Sequence, residues 1–284
     1  MALNKAVFKT RALTALVFVA VMLCGLLLST SSFFVLFSII HFGCWAEYLT
    51  LLQGIYRTRF HRYFGWGIAL VGYSLVLAAC PPALSIGGYA LQHNAVLPCS
   101  AAGFLLMAVG ILRSQQRVAT RPLAAAGIGW VYISLAWAAM LSLYQLGLSQ
   151  QFAGWLYPVM LIAGIWINDT MAYLVGSFVG KTPLSKISPK KTWEGTLGGA
   201  ALAVAAVAGL GLYGFSIPWH TALAIGTIAA VAGTLGDLLE SKLKRLAGVK
   251  DSGSIMPGHG GFLDRFDSLL LATPVLWVYL YLAK

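Results

Sequence analysis

Nine apolar runs, separated by short polar stretches, constrain this chain more than any other feature: Ala12–Leu28, Phe33–Leu52, Phe64–Ala79, Pro98–Leu112, Leu123–Tyr144, Phe152–Val175, Thr196–Phe215, Thr221–Leu239 and Phe266–Ala283. A bilayer-spanning helix takes roughly 17–25 apolar residues, so the runs point to a polytopic membrane protein. The composition agrees, because only 10% of the residues are charged, against about 25% in soluble domains. The expected fold class is all-α, an integral membrane protein of about nine transmembrane helices.

The net charge of +11 resides in clusters between the runs: Lys5, Lys9 and Arg11; Arg57, Arg59 and Arg62; Arg113, Arg117 and Arg121; Lys181, Lys186, Lys190 and Lys191; Lys242, Lys244, Arg245, Lys250 and Arg265. Basic residues concentrate in cytoplasmic loops of membrane proteins. Nine crossings from a cytoplasmic N-terminus leave all 19 Lys and Arg except Lys284 on the cytoplasmic side. Topology thus explains the charge, and nucleic acid is not an expected partner. A basic cytoplasmic face suits anionic headgroups and nucleotides instead.

The N-terminus resembles a signal peptide, with Ser29–Ser32 mimicking a cleavage region. The first run is long for a signal core and a second follows at once, so a retained helical hairpin is expected. Pro81 and Pro82 should end the third helix, leaving 83–97 as an outer loop or interfacial helix. Cys24, Cys44, Cys80 and Cys99 form no CxxC pattern and read as small apolar residues. Trp45, Tyr48, Trp66, Trp130, Tyr157 and Trp219 near run ends read as interfacial anchors. Gly195 and Gly199 have the spacing that lets helix backbones approach closely, within one subunit or between two.

Carboxylates divide the chain. Glu47 is the single one in the first 168 residues, while Asp169, Glu194, Asp237, Glu240, Asp251, Asp264 and Asp267 follow. Carboxylates at bilayer depth are costly and normally face a cavity or a partner. Asp237 with Glu240, and Asp264 with Asp267, are three apart and share helix faces; Ser241, four after Asp237, joins the first. Two such helix ends can close on a hard divalent cation, as Mg²⁺ is held by one or two carboxylates plus substrate phosphates. Between them, Lys244, Arg245 and Lys250 supply cations, and Gly258, Gly260 and Gly261 let backbone donors approach an anion. The combination suits phosphoryl or nucleotidyl transfer. Residues 1–150 are therefore expected to be scaffold, and 151–284 a catalytic region with cytoplasmic loops 176–195 and 241–265.

The ordered string Ser241-Lys-Leu-Lys244-Arg245, Lys250-Asp251-Ser-Gly253, Pro257-Gly-His259-Gly260-Gly261-Phe-Leu-Asp264-Arg265-Phe-Asp267 resembles the signature of the phosphatidate cytidylyltransferases, or CDP-diacylglycerol synthases. Asp169-Thr170 with Ala172-Tyr173, and Ser188-Pro-Lys190-Lys191-Thr-Trp-Glu194-Gly195, resemble further segments of that family. Met256 and Asn168 depart from its pattern. The resemblance covers about residues 155–284; the first half matches only in being apolar helix. It implies a homodimeric enzyme of a bacterial inner membrane, active on the cytoplasmic side, that converts CTP and phosphatidate to CDP-diacylglycerol and pyrophosphate. It implies Mg²⁺, with a monovalent cation such as K⁺ beside it, held by Asp237, Asp264 and Asp267. It also implies a catalytic role for Lys250, and substrate contacts from Asp169, Lys190, Lys191, Lys244, Arg245, His259, Gly260, Gly261 and Arg265.

The residues by themselves also allow a transferase acting on another lipid phosphate, or a cation transporter that uses Asp169. The topology carries its own prediction. A reporter fused at residue 116 or 185 should lie in the cytoplasm, and an external location for either would overturn the nine-crossing arrangement.

Overall fold

The computed structural model describes residues 5–86, 88–114, 119–185, 187–255 and 260–283, with the backbone alone for 5–12, 86 and 89. Eleven α-helices follow in order: α1 (Lys5–Leu27), α2 (Thr30–Tyr56), α3 (Arg62–Ala78), α4 (Leu91–Asn94), α5 (Val96–Leu112), α6 (Thr120–Gly129), α7 (Leu135–Ser149), α8 (Leu156–Val179), α9 (Trp193–Gly209), α10 (Trp219–Leu246) and α11 (Leu263–Leu282). Five-residue π-helical turns, Trp130–Ser134 and Leu210–Gly214, continue α6 into α7 and extend α9. The strands among the described residues are one antiparallel pair, Ser85–Ile86 with Tyr89–Ala90, in the segment expected as an outer loop. Each of the nine apolar runs is built into a helix. Six helical stretches among the described residues are long and apolar enough to cross a membrane: Thr30–Tyr56, Leu91–Leu112, Thr120–Ser149, Leu156–Val179, Trp193–Gly214 and Trp219–Leu246. Leu13–Leu27 and Arg62–Ala78 are shorter apolar helices.

The chain forms two compact units, Met1–Ser142 with Leu246–Arg265, and Leu143–Arg245 with Phe266–Lys284. The charged residues from Asp237 to Asp267 are thus divided between them.

In the first unit, the serines that mimic a cleavage region cap α2. Ser29 Oγ accepts from Ser32 N and Ser32 Oγ accepts from Ser29 N, both at 3.0 Å, so two orphan donors of the helix start are satisfied reciprocally. Gly25 of α1 lies against Leu36 of α2, which closes the expected hairpin. Helices α3 and α5 cross where Gly67, Gly103 and Gly110 meet opposing backbone, leaving no room for a side chain.

Three of the aromatics read as interfacial anchors are core residues instead. Trp45, Tyr48 and Tyr157 are buried. In the first unit, Trp45 Nε1 donates to Ser134 Oγ (2.9 Å) and Tyr48 Oη to the Ala125 carbonyl (2.8 Å). Their polar tips find partners inside the fold, so position near a run end did not imply position at an interface. Trp66 and Trp219 are exposed, as an anchor would be. All four cysteines are free.

In the second unit, α8 packs on α9 through the glycine pair expected to allow close approach. A methyl at Gly195 would meet the Ala172 carbonyl, and one at Gly199 the Ala172 amide and Asn168 carbonyl, all at 2.6–2.7 Å. The contact lies within this chain, which decides between the two alternatives left by the sequence. It fixes the part of α8 that carries Asn168 and Asp169. Gly199→Leu should therefore destabilise by about 1–3 kcal/mol through overpacking, seen as a lower unfolding temperature in detergent. Gly209→Ala, with nothing within 4 Å of the added methyl, should not lower it. Equal effects of the two substitutions would contradict this packing.

Candidate active site

The second unit contains a cavity of about 470 Å³ whose wall includes Asn168, Asp169, Lys190, Lys191, Thr234 and Asp237. Asp169 comes from the middle of α8 and Asp237 from the C-terminal part of α10, where apolar residues give way to charge. The lysines come from the connection between α8 and α9, which is folded back on itself. Leu184 N donates to the Lys191 carbonyl (2.7 Å) and Trp193 N to the Thr182 carbonyl (2.9 Å). Glu194, in the first turn of α9, accepts from Lys181 N (3.1 Å) and Thr182 N (3.2 Å). Thr192 Oγ1 caps the same helix by accepting from Gly195 N.

The loop thereby presents Lys191 to the carboxylates. Its Nζ pairs with Asp237 Oδ2, and Ser241 Oγ donates to Asp237 Oδ1 (3.2 Å), as the four-residue spacing predicted. Asp267, on α11, interacts electrostatically with Asp237, Asp169 and Lys191. Asp169 interacts with Lys191 and Asp237 in turn. Lys191 is thus paired with Asp237 and interacts electrostatically with two further carboxyl groups. Such a cluster attracts further positive charge, and its hard oxygen donors suit Mg²⁺. Asn168 adds a second sign of an unfilled role: it is 2% exposed, it lines the cavity, and its Oδ1 has no hydrogen-bond partner. A buried amide oxygen of this kind costs about 1–3 kcal/mol until something donates to it or coordinates it. Among the described residues, no three His, Cys, Asp or Glu side chains could hold a metal ion by themselves.

Within each of the two spaced pairs the carboxylates have different partners. Asp237 faces the cavity, whereas Glu240 is fully buried and bonded to Lys244 one turn later (2.5 Å). Lys244, expected at a phosphate, is engaged in this ion pair. Asp267 joins the cavity cluster, whereas Asp264 belongs to the first unit. There, Asp264 Oδ2 accepts from Ser252 N (2.8 Å) and Gly261 N (2.8 Å) and lies 2.9 Å from Ser252 Oγ. The backbone donor of Gly261, expected to meet an anionic substrate, is directed to this carboxylate. Gly260 has φ +78°, and a Cβ there would press on the Asp264 carboxylate, so glycine is required on both counts. Arg245, Lys250 and Arg265 are exposed. His259, with Pro257 and Gly258, lies outside the described residues.

Asn168 and Thr234 were not singled out as site residues, although a polar pair flanked by apolar helix was the available signal for Asn168-Asp169. Glu47 was noted only as an isolated carboxylate. It accepts from the Ser252 hydroxyl and from the backbone N–H groups of Phe262 and Leu263 in its own unit, a pairing across some 200 residues that no local pattern announces.

A family model described as the cytidylyltransferase family matches residues 9–283. The chain is similar to a phosphatidate cytidylyltransferase of Synechocystis sp., 44% identical over 131 residues, covering 45% of this chain and 44% of that protein. It is similar to one of Aquifex aeolicus, 42% identical over 125 residues, covering 43% and 46%. A third, of Brucella abortus, is 34% identical over 238 residues, covering 81% of this chain and 77% of that protein. The chain thus matches just under half the length of the first two of these relatives.

The α8–α9 connection generates a test of its own. Glu194→Ala removes the acceptor of two backbone donors and should speed tryptic cleavage after Lys190 and Lys191 at least fivefold. Unchanged cleavage would show that the folded-back loop does not depend on Glu194.

Proposed function

The chain belongs to the cytidylyltransferase family, matched over residues 9–283, and on that premise we propose that it transfers the cytidylyl group of CTP to phosphatidate. The products are CDP-diacylglycerol and pyrophosphate. The observation that carries this reading is the cluster of Asp169, Asp237 and Asp267 around Lys191 at a cavity of about 470 Å³. The family membership supplies the nucleotide, and the names of the relatives supply the lipid.

A phosphate monoester has its second pKa near 6 and is largely dianionic at neutral pH. It is therefore already a nucleophile. A phosphatidate oxygen attacks the α-phosphorus of CTP, an O–P bond forms, the α–β anhydride bond breaks, and pyrophosphate leaves with the electron pair. No strong protein base is needed, which agrees with a site of carboxylates and cations without a Ser–His or Cys–His pair. Lys190 and Lys191 draw phosphates to the cavity and offset their charge. Asp237 and Asp267, with Asp169 close by in charge, are the residues we assign to hold Mg²⁺ together with phosphate oxygens. Bound there, Mg²⁺ would neutralise the charge that develops on the departing pyrophosphate. A monovalent cation such as K⁺ is a further proposal for the same cluster, to which Asn168 Oδ1 could contribute an uncharged ligand.

Asp264, Lys250, Arg245, Lys244, His259, Gly260, Gly261 and Arg265 enter through the family motif alone. The nine crossings, a cytoplasmic N-terminus and a cytoplasmic-facing site in an inner membrane are proposed on the distribution of Lys and Arg. A homodimer rests on the resemblance alone.

Purified protein should release pyrophosphate from CTP, and not from ATP, when phosphatidate and Mg²⁺ are added, and EDTA should stop it. Asp237→Asn and Asp267→Asn should each lower kcat at least a thousandfold while the variants insert and unfold like the parent. Release without phosphatidate, equal use of ATP, or near-parental turnover in both variants would refute the assignment.

A further inference from the structure

Glu47 is a carboxylate that neither topology nor the proposed chemistry uses, in a half of the chain that is otherwise free of them. It lies in the middle of α2, within an apolar run, where an ionised side chain is costly unless well supplied with donors. Oε1 accepts from Phe262 N and Oε2 from Leu263 N, both at 2.8 Å. Ser252 Oγ lies 2.7 Å from Glu47 Oε2 and 2.9 Å from Asp264 Oδ2, so its single proton is shared between two carboxylates. The same hydroxyl accepts from Asp264 N at 3.3 Å. Glu47 and Asp264 thus gather both ends of the 252–263 loop, together with the first backbone donors of α11. Those donors have no partner inside their own helix and carry its positive dipole end.

The surrounding glycines fit this docking. A Cβ at Gly261 or Gly253 would run into the Glu47 carboxylate, and one at Gly43, a turn earlier on α2, into the Phe262 ring. Gly54, further along α2, receives Ala247 at 3.3–3.4 Å. One stripe of α2, from Gly43 through Glu47 to Gly54, is therefore shaped to receive Ala247, Gly253, Gly261 and Phe262. In sequence these positions stand beside the motif residues Lys250 and Gly260 and lead into Asp264 and Arg265.

We infer that Glu47 is a positioning residue: from the scaffold helix α2 it fixes Ser252 and the stretch Gly261–Asp264 at the start of α11, so that Asp264 and the motif glycines beside it hold one arrangement during nucleotidyl transfer. The inference rests on the proposed reaction for its catalytic consequence, but not for its geometry. Loss of Glu47 leaves the motif chemistry in place and removes what orders it. The effect on turnover should then exceed the effect on nucleotide affinity.

The test uses the full chain in lipid nanodiscs, with Glu47→Ala and the near-isosteric Glu47→Gln, which keeps one acceptor oxygen and loses the other. Amide hydrogen exchange at Gly261–Leu263 should rise at least a hundredfold in Glu47→Ala and at least tenfold in Glu47→Gln, while α8 amides keep the parental rate. For CTP and phosphatidate, kcat should fall at least thirtyfold in both, with KM for CTP within threefold. Parental exchange in that stretch, a uniform rise across the chain, or kcat per folded molecule within threefold of the parent would overturn the inference. Should Glu47→Ala fail to fold, Glu47→Gln decides. A parent chain that makes no CDP-diacylglycerol would refute the proposed reaction instead, and the exchange measurement would still judge the anchoring role of Glu47.

Discussion

A carboxylate carried by apolar helices must be met by donors or cations, because an unpaired buried charge costs several kcal/mol even after the surroundings relax. This constraint organises the polar structure of the chain. Glu47 is met by Ser252, Phe262 and Leu263, Glu194 by the backbone of Lys181 and Thr182, Glu240 by Lys244, and Asp264 by Ser252 and Gly261. Of the eight carboxylates, these four are arranged around neighbouring donors. Asp251 is exposed. Asp169, Asp237 and Asp267 differ, since three carboxyl groups have Lys191 as the ammonium that interacts with all of them. The surplus of carboxyl groups over cations beside a cavity is what separates a site from a scaffold contact here.

The remaining architecture serves that cluster. Gly195 and Gly199 let α9 approach α8 closely enough to fix the turn that carries Asp169. Gly236 lies against the Asp267 carbonyl and Ser268, so α10 and α11 meet backbone to backbone beside Asp237. A side chain at any of these three positions would force the helices apart. The spacing of the charged groups is therefore set by contacts that are themselves uncharged.

Much of this was legible in the sequence, for physical reasons. Long apolar runs have one practical backbone solution in a bilayer, so the helices could be read directly. Local periodicity likewise gave Ser241 on the Asp237 face and glycine packing at Gly195 and Gly199. The same periodicity misled where partners come from elsewhere in the chain. Asp264, which spacing places with Asp267, binds Ser252, twelve residues before it. Trp45 looked interfacial because a run end is near, but its indole is satisfied by Ser134, about ninety residues away. Glu47 and the backbone of Phe262 are more than two hundred residues apart, and only the folded chain brings them together. The reaction itself came from the motif and the relatives, since carboxylates and lysines at a cavity do not by themselves name cytidine.

The central claim is that the Asp169–Lys191–Asp237–Asp267 cluster joins the α-phosphate of CTP to a lipid phosphate. Transfer of label answers it most directly. Purified parent chain supplied with CTP labelled at the α-phosphate, phosphatidate and Mg²⁺ should move that label into organic-extractable lipid, and label at the γ-phosphate should stay in the aqueous phase as pyrophosphate. The account predicts this transfer for the parent and its loss in folded Asp237→Asn. Lipid that stays unlabelled with the parent, or is labelled equally by the variant, would contradict it.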